Sequence, residues 1–191
     1  IVGNISGNSK QPEVSYELSG NNLLVSEVFV EQAVGKGNIK WNKQKPVALN
    51  LDLMGIQGIN NQVDNAQIIL SGDASTHQLD LITSGQSTRV NLSIQGQLNQ
   101  TSWQGNWLSA DIESSYANLT LLEPFKIEAD WAKQQYSVAP HCWRHTENEL
   151  CIKKAEFNKN TAVWDVSLKE FDVLSVVQRL VPGIPAIQTN S

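Results

Sequence analysis

Residues 131–157 read WAKQQYSVAPHCWRHTENELCIKKAEF, and they hold both cysteines of the chain. Trp131, Tyr136 and Val138 mark an apolar face before Pro140. Then come His141-Cys142-Trp143-Arg144, a polar turn, and Leu150-Cys151-Ile152. Two alternating arms around a polar tip predict a β-hairpin. In the register that sets Cys142 opposite Cys151, Trp143 faces Leu150, Val138 faces Ala155, and Thr146-Glu147 lie near the tip. A disulfide across the arms would close a ring of about ten residues and add roughly 2.5–3 kcal/mol on the loop-entropy account. Such a bond persists only in an oxidising compartment.

Outward from this hairpin the same two-residue beat fills nearly the whole chain. Val14, Tyr16 and Leu18 alternate with Ser15 and Glu17. Val47, Leu49, Leu51 and Leu53 alternate with Ala48, Asn50 and Asp52, and Pro46 suits the start of that strand. Ile68 and Leu70, Leu79 and Leu81, then Val90, Leu92, Ile94 and Leu98 follow, with Gly72-Asp73, Ser84-Gly85 and Asn99-Gln100 between them. Segments of this length separated by turn residues predict an antiparallel meander. The rhythm changes once. Val173, Leu174, Val177, Leu180 and Val181 are spaced as the stripe of a short amphipathic helix, with Asp172 as N-cap and Pro182-Gly183 as its stop. The expected class is all-β with one short helix near the C-terminus. One apolar face of the sheet must be buried by closure, by stacking of two halves, or by apolar ligands.

Composition narrows the function. The 191 residues carry 17% charged side chains and a net charge of −5, which speaks against nucleic acid, whose phosphates need a basic surface. Lys36, Lys40, Lys43 and Lys45 read as a solvated run. No charged leader with an apolar core opens the sequence, and no apolar run reaches the roughly 20 residues that span a bilayer. Beginning at Ile1-Val2-Gly3, the chain reads as one segment, residues 1–191, of a longer protein, and any export signal or membrane anchor would lie outside it.

No grouping announces chemistry. His141, Cys142, His145 and Cys151 are possible zinc ligands, but neighbours on a strand point to opposite faces, so no metal is expected and the cysteines read as a disulfide. Asp52, Asp80, Asp111, Glu113, Glu128 and Asp130 occupy the polar beat, where solvent exposure explains them. Nucleophile elbows and phosphate-cradling glycine loops are missing, so no catalysis and no cofactor is expected. Six tryptophans, Trp41, Trp103, Trp107, Trp131, Trp143 and Trp164, leave open a second reading as a secreted β-sandwich that binds carbohydrate through exposed indoles.

From about Trp103 to Pro182 the order of features resembles the TamB family, inner-membrane components of translocation and assembly modules in the AsmA-like group of bridge-like lipid transfer proteins. The resemblance rests on Ala117-Asn118-Leu119-Thr120-Leu121-Leu122-Glu123-Pro124, on Trp131, and on Ser137 to Arg144 with Leu150-Cys151. A strand from Trp164 to Leu168 and the segment from Leu174 to Pro182 complete it. It implies a periplasmic β-taco, an elongated and curved antiparallel sheet folded into a trough with an apolar inner wall, tethered to the inner membrane in the longer protein. It also implies phospholipid cargo and an outer-membrane barrel partner met through the missing C-terminal region.

A hydrophobic groove asks for what this sequence supplies: one apolar beat, little helix to cover it, and no catalytic set. Each buried CH₂ of a lipid tail is worth about 0.8 kcal/mol without any polar contact. The expected lining is Leu49, Leu51, Leu53, Ile68, Leu70, Leu79, Leu81, Val90, Leu92, Ile94, Leu119, Leu121, Ile127 and Val138. Exposed edge strands are expected to pair with neighbouring segments or with a second copy.

Overall fold

The computed structural model describes residues 2–8, 11–40, 47–58, 62–73, 75–86, 88–114 and 118–170, with backbone alone at 2–8, 11–12 and 39–40. All fourteen strands in these residues belong to one curved sheet, and every pairing is antiparallel. The first eight are β1 (Val2–Asn8), β2 (Gln11–Val25), β3 (Val28–Lys40), β4 (Val47–Gln57), β5 (Gln62–Gly72), β6 (His77–Ser84), β7 (Thr88–Leu98) and β8 (Ser102–Ser114). They pair strictly in chain order. The helix expected over Val173–Val181 lies outside the described residues.

Beyond β8 the topology is simpler than its strand order suggests. Strands β9 (Asn118–Leu121) and β10 (Phe125–Asp130) both lie along the same edge of β8, at Asp111–Glu113 and Ser102–Trp107 respectively. They are one rung interrupted at Leu122–Pro124. Strands β11 (Gln135–Val138) and β12 (His141–His145) likewise both pair with β13 (Asn148–Phe157), and are one rung interrupted at Ala139-Pro140. β14 (Ala162–Lys169) closes the series on β13. The sheet is therefore an uninterrupted meander from β1 to β14.

Tight turns drive this local order. Ser26 and Thr146 adopt positive φ at the tips of the β2–β3 and β12–β13 hairpins, the backbone that two-residue loops between twisted strands require. At the second tip the register is Cys142 opposite Cys151, Trp143 opposite Leu150 and His145 opposite Asn148, with Val138 opposite Ala155 beyond the interruption of the same rung.

Irregularities fall in a line across successive rungs. Leu108 is left unopposed where the β7–β8 register shifts, Leu122–Pro124 and Ala139-Pro140 interrupt the next two rungs, and the β13–β14 register shifts at Lys153. Two backbone hydrogen bonds, Leu122 N to Cys142 O at 3.0 Å and Ala139 N to Lys126 O at 2.8 Å, stitch the interrupted rungs together. Extra residues bend a strand and tighten its twist, so this line curves the sheet.

The core sits beside that line. Ala110, Leu121 and Phe125 are buried, and Leu92, Trp107, Ile127, Val138, Ala139 and Trp143 pack around them. Among the described residues no large side chain is completely buried. Among the described residues the apolar face is packed at this end and carries no second layer elsewhere.

Candidate functional site: an apolar lane across the strands

Residues directly opposite on antiparallel strands share a face, so the register defines rows that cross the strands. One row runs Leu49, Leu70, Leu79, Ile94, and a second runs Leu51, Ile68, Leu81, Leu92. Leu53 and Val90 flank them on the same face, with Thr83 between, whose hydroxyl oxygen accepts from the Val90 backbone N–H at 2.7 Å. All ten of the predicted lining residues on β4–β7 are half-buried, as are Asn50, Asp52, Gln67 and Asp80 on the other beat.

The remaining predicted residues lie further along the same face. Leu119 faces Ile112 at the tip of β8, Leu121 is buried in the core, and Ile127 and Val138 face each other against it. The lane therefore has an open stretch on β4–β7 and a filled stretch from β8 to β13.

Two aromatic rings lie flat on the face over glycines. Tyr16 covers Gly37 and touches the space above Gly35, and burial pushes its hydroxyl pKa up from the ordinary tyrosine value. Trp103 covers Gly96 and Gly105, and its indole N–H reaches His77 Nε2. A shallow depression of about 630 Å³ on β2–β5 is bordered by residues of both faces, Tyr16, Leu49 and Leu70 from the lane and Glu17, Lys36, Asn50 and Ile69 from the other.

Four further rings form a circuit that sequence reading missed. Trp107 stacks on Phe125 with centroids 5.6 Å apart, and Phe125 stacks on His141 at 3.7 Å. His141 meets Trp143 edge-on at 6.2 Å, and Trp143 meets Trp107 edge-on at 6.0 Å. Aromatic contacts of this kind add about 0.5–1.5 kcal/mol each beyond their buried area. The available signal was the two prolines, Pro124 and Pro140, each one residue before a ring of the circuit.

The other face carries most of the polar side chains, several of them paired, together with the exposed Val34, Met54 and Ile82. Asp52 accepts from Gln67 at 2.7 Å, Asp80 from Gln78 at 3.0 Å, and Glu113 binds Arg89 at 3.0 Å. The hydrogen bond from the Lys126 ammonium holds the Glu128 carboxyl below the usual carboxylate range, and Lys133 does the same for Asp130. Cys142 and Cys151 are bonded to each other on this face. His145 Nδ1 engages the Asn118 backbone, and His141 is held in the ring circuit, so the candidate metal ligands are engaged separately. No group of three or more His, Cys, Asp or Glu that could hold a metal occurs among the described residues.

Of the described tryptophans, Trp131 and Trp164 are the exposed ones, at the β10–β11 turn and on β14. Trp41 lies outside the described residues. Among the described residues no helix is long and apolar enough to cross a membrane.

A profile of the family described as "TamB, N-terminal domain" matches residues 2–190. The chain is 27% identical over 154 residues to a protein of Haemophilus influenzae, the translocation and assembly module subunit TamB. That match covers 79% of this chain and 12% of the relative, so the chain spans about an eighth of its length. No solved structure matches it. With a family profile covering almost every residue, on a sheet of the kind the C-terminal motifs led one to expect, the chain belongs to the TamB family.

Proposed function

We propose that this chain is one stretch of a periplasm-spanning conduit that shelters phospholipid acyl chains between the inner and outer membranes and so serves outer-membrane biogenesis. The observation that carries the reading is the half-buried row of Leu, Ile and Val side chains on β4–β7, without a covering layer among the described residues. Apolar area this continuous is costly to leave in water, and a tail laid along it gains about 0.8 kcal/mol per methylene. Neighbouring positions in a row are nearly equivalent, so a tail slides along it. The chain acts as a passive track and performs no catalysis.

The disulfide supports an oxidising compartment, here the periplasm. The relative's name, a subunit of a translocation and assembly module, supports work alongside a partner subunit. In the longer protein an N-terminal helix tethers the track to the inner membrane, and a C-terminal region meets a barrel in the outer one. The free edges of the sheet pair with the adjoining stretches or with a second copy.

The test is native mass spectrometry of the chain exported to a bacterial periplasm. Phospholipid leaving with the protein is the expected result. A lipid-free protein that retains glycan would overturn the reading in favour of sugar binding at Trp131 and Trp164.

A further inference from the structure

The apolar face runs out to the last described strand and meets water there. Trp164, Val166 and Leu168 on β14 lie opposite Ala155, Ile152 and Leu150 on β13, and these in turn lie opposite Val138, His141 and Trp143. Three rows thus leave the packed core and end at the edge of the sheet. Ala155 is buried, yet one strand further out Trp164, Val166 and Leu168 are 63%, 47% and 46% exposed. The Trp164 indole meets Phe157 edge-on at 5.0 Å, which covers one side of it. Large apolar side chains exposed next to one another form a patch of the kind that another surface fills.

The chain itself carries a match for that patch. Glu170, the residue after β14, has a φ of 54°, a left-handed backbone that turns the chain out of the strand. Beyond Asp172, the residues Val173, Leu174, Val177, Leu180 and Val181 share one stripe at helical spacing, with Ser175, Gln178 and Arg179 opposite. As a helix, residues 173–181 are about 12 Å long. Trp164 to Leu168 spans about 13 Å of strand. The five Cα steps from Leu168 to Val173 reach up to about 17 Å, enough to fold back over the same face. A helix this short does not hold in water alone, so its stripe needs an apolar surface within reach.

We infer that residues 173–181 fold back as a helix on the apolar face and cover Trp164, Val166 and Leu168. The inference does not depend on the acyl-chain reading, because the covered row is on β14 and the open lane on β4–β7. Held by these contacts alone, the helix yields to a stronger apolar ligand, so the face beneath it stays passable.

The experiment is hydrogen exchange of the full chain, read by mass spectrometry of peptides covering residues 171–182. In the parent these amides should exchange at least about tenfold more slowly than in the same segment as a free peptide. Val166→Asp on the row and Val177→Asp on the stripe should each abolish that protection, whereas Ser175→Asp on the polar side should keep it. Leu168→Asp repeats the row test at a second exposed site, should Val166→Asp fail to fold. Parent amides exchanging at the free-peptide rate overturn the cover. So does protection that survives the row variants, which seats the helix elsewhere, and so does protection that fades on dilution, which gives the row to a second copy.

Discussion

The indole N–H of Trp103 on β8 donates to Nε2 of His77 on β6 at 2.7 Å, reaching over the intervening strand β7. His77 Nδ1 lies 3.2 Å from the Asp73 carbonyl, so the hydrogen-bond pattern assigns the proton to that nitrogen and leaves Nε2 as acceptor. Gly96 and Gly105 make the bridge possible, because a Cβ on either would overlap the indole. Gly96→Ala should therefore lower unfolding free energy by about 1–3 kcal/mol, as overpacking does. His77→Phe, which removes both the Nε2 acceptor and the Nδ1 donor to Asp73, should cost about 1–3 kcal/mol. Urea denaturation of the two variants checks both values, and a Gly96→Ala protein as stable as the parent would show that the ring is free to leave.

The disulfide closes a loop of sequence separation 9 on the polar face, away from the lane. Replacing both cysteines by serine should reduce stability by about 2–3 kcal/mol. Dithiothreitol should bring the parent down to the level of the variant and leave the variant unchanged. Lipid retention should be the same in both, since no lane residue moves.

Charge placed on the lane should act differently from charge placed behind it. Leu51→Glu or Leu92→Arg puts an ion among apolar neighbours and should reduce retained phospholipid at least about tenfold. Asn50→Ala and Asp52→Asn alter the opposite face of β4 and should leave retention unchanged. Equal loss in both sets, measured by lipid extraction and phosphate assay, would argue that the sheet has no preferred face for tails.

Glu128 gives a pH dependence whose sign is fixed. Its folded-state carboxyl pKa is depressed by the hydrogen bond from Lys126, then by that ammonium's charge, with a further bond from Ser137. The interaction therefore stabilises the fold above the ordinary carboxylate range and is lost as pH falls through the lowered value. The pair is half-exposed, so the effect is small and shrinks with salt. Thermal unfolding of the parent and Glu128→Gln should converge at acid pH and separate slightly at neutral pH in low salt.

The sheet was legible because its signal is redundant. Leu49, Leu51 and Leu53 lie on one beat of a single strand, and Leu70, Ile68 and Ala66 repeat it on the next, so no single residue decides the face. The hairpin around Thr146 was legible because Cys142 and Cys151 demand one register. The filled end of the lane was not legible, for a physical reason. Strict alternation puts Trp107 and Ala110 on opposite faces, as it does Val138 and His141, or Ile152 and Ala155. In each pair an irregularity between the two residues rephases the strand and brings both onto the apolar side. A bulge is a tertiary event with no local signature beyond a nearby proline or polar residue. His141 was accordingly read as a candidate ligand rather than as a ring stacked on Phe125.

Since each rung from β1 to β14 is hydrogen-bonded only to the rungs before and after it in the chain, the molecule's reach is set by how many hairpins the gene encodes. Removing one whole hairpin from the regular part, such as β5 with β6, keeps strand polarity and shortens the sheet by about 10 Å. Removing a single strand reverses every rung that follows. A protein built this way changes its span in steps of two strands.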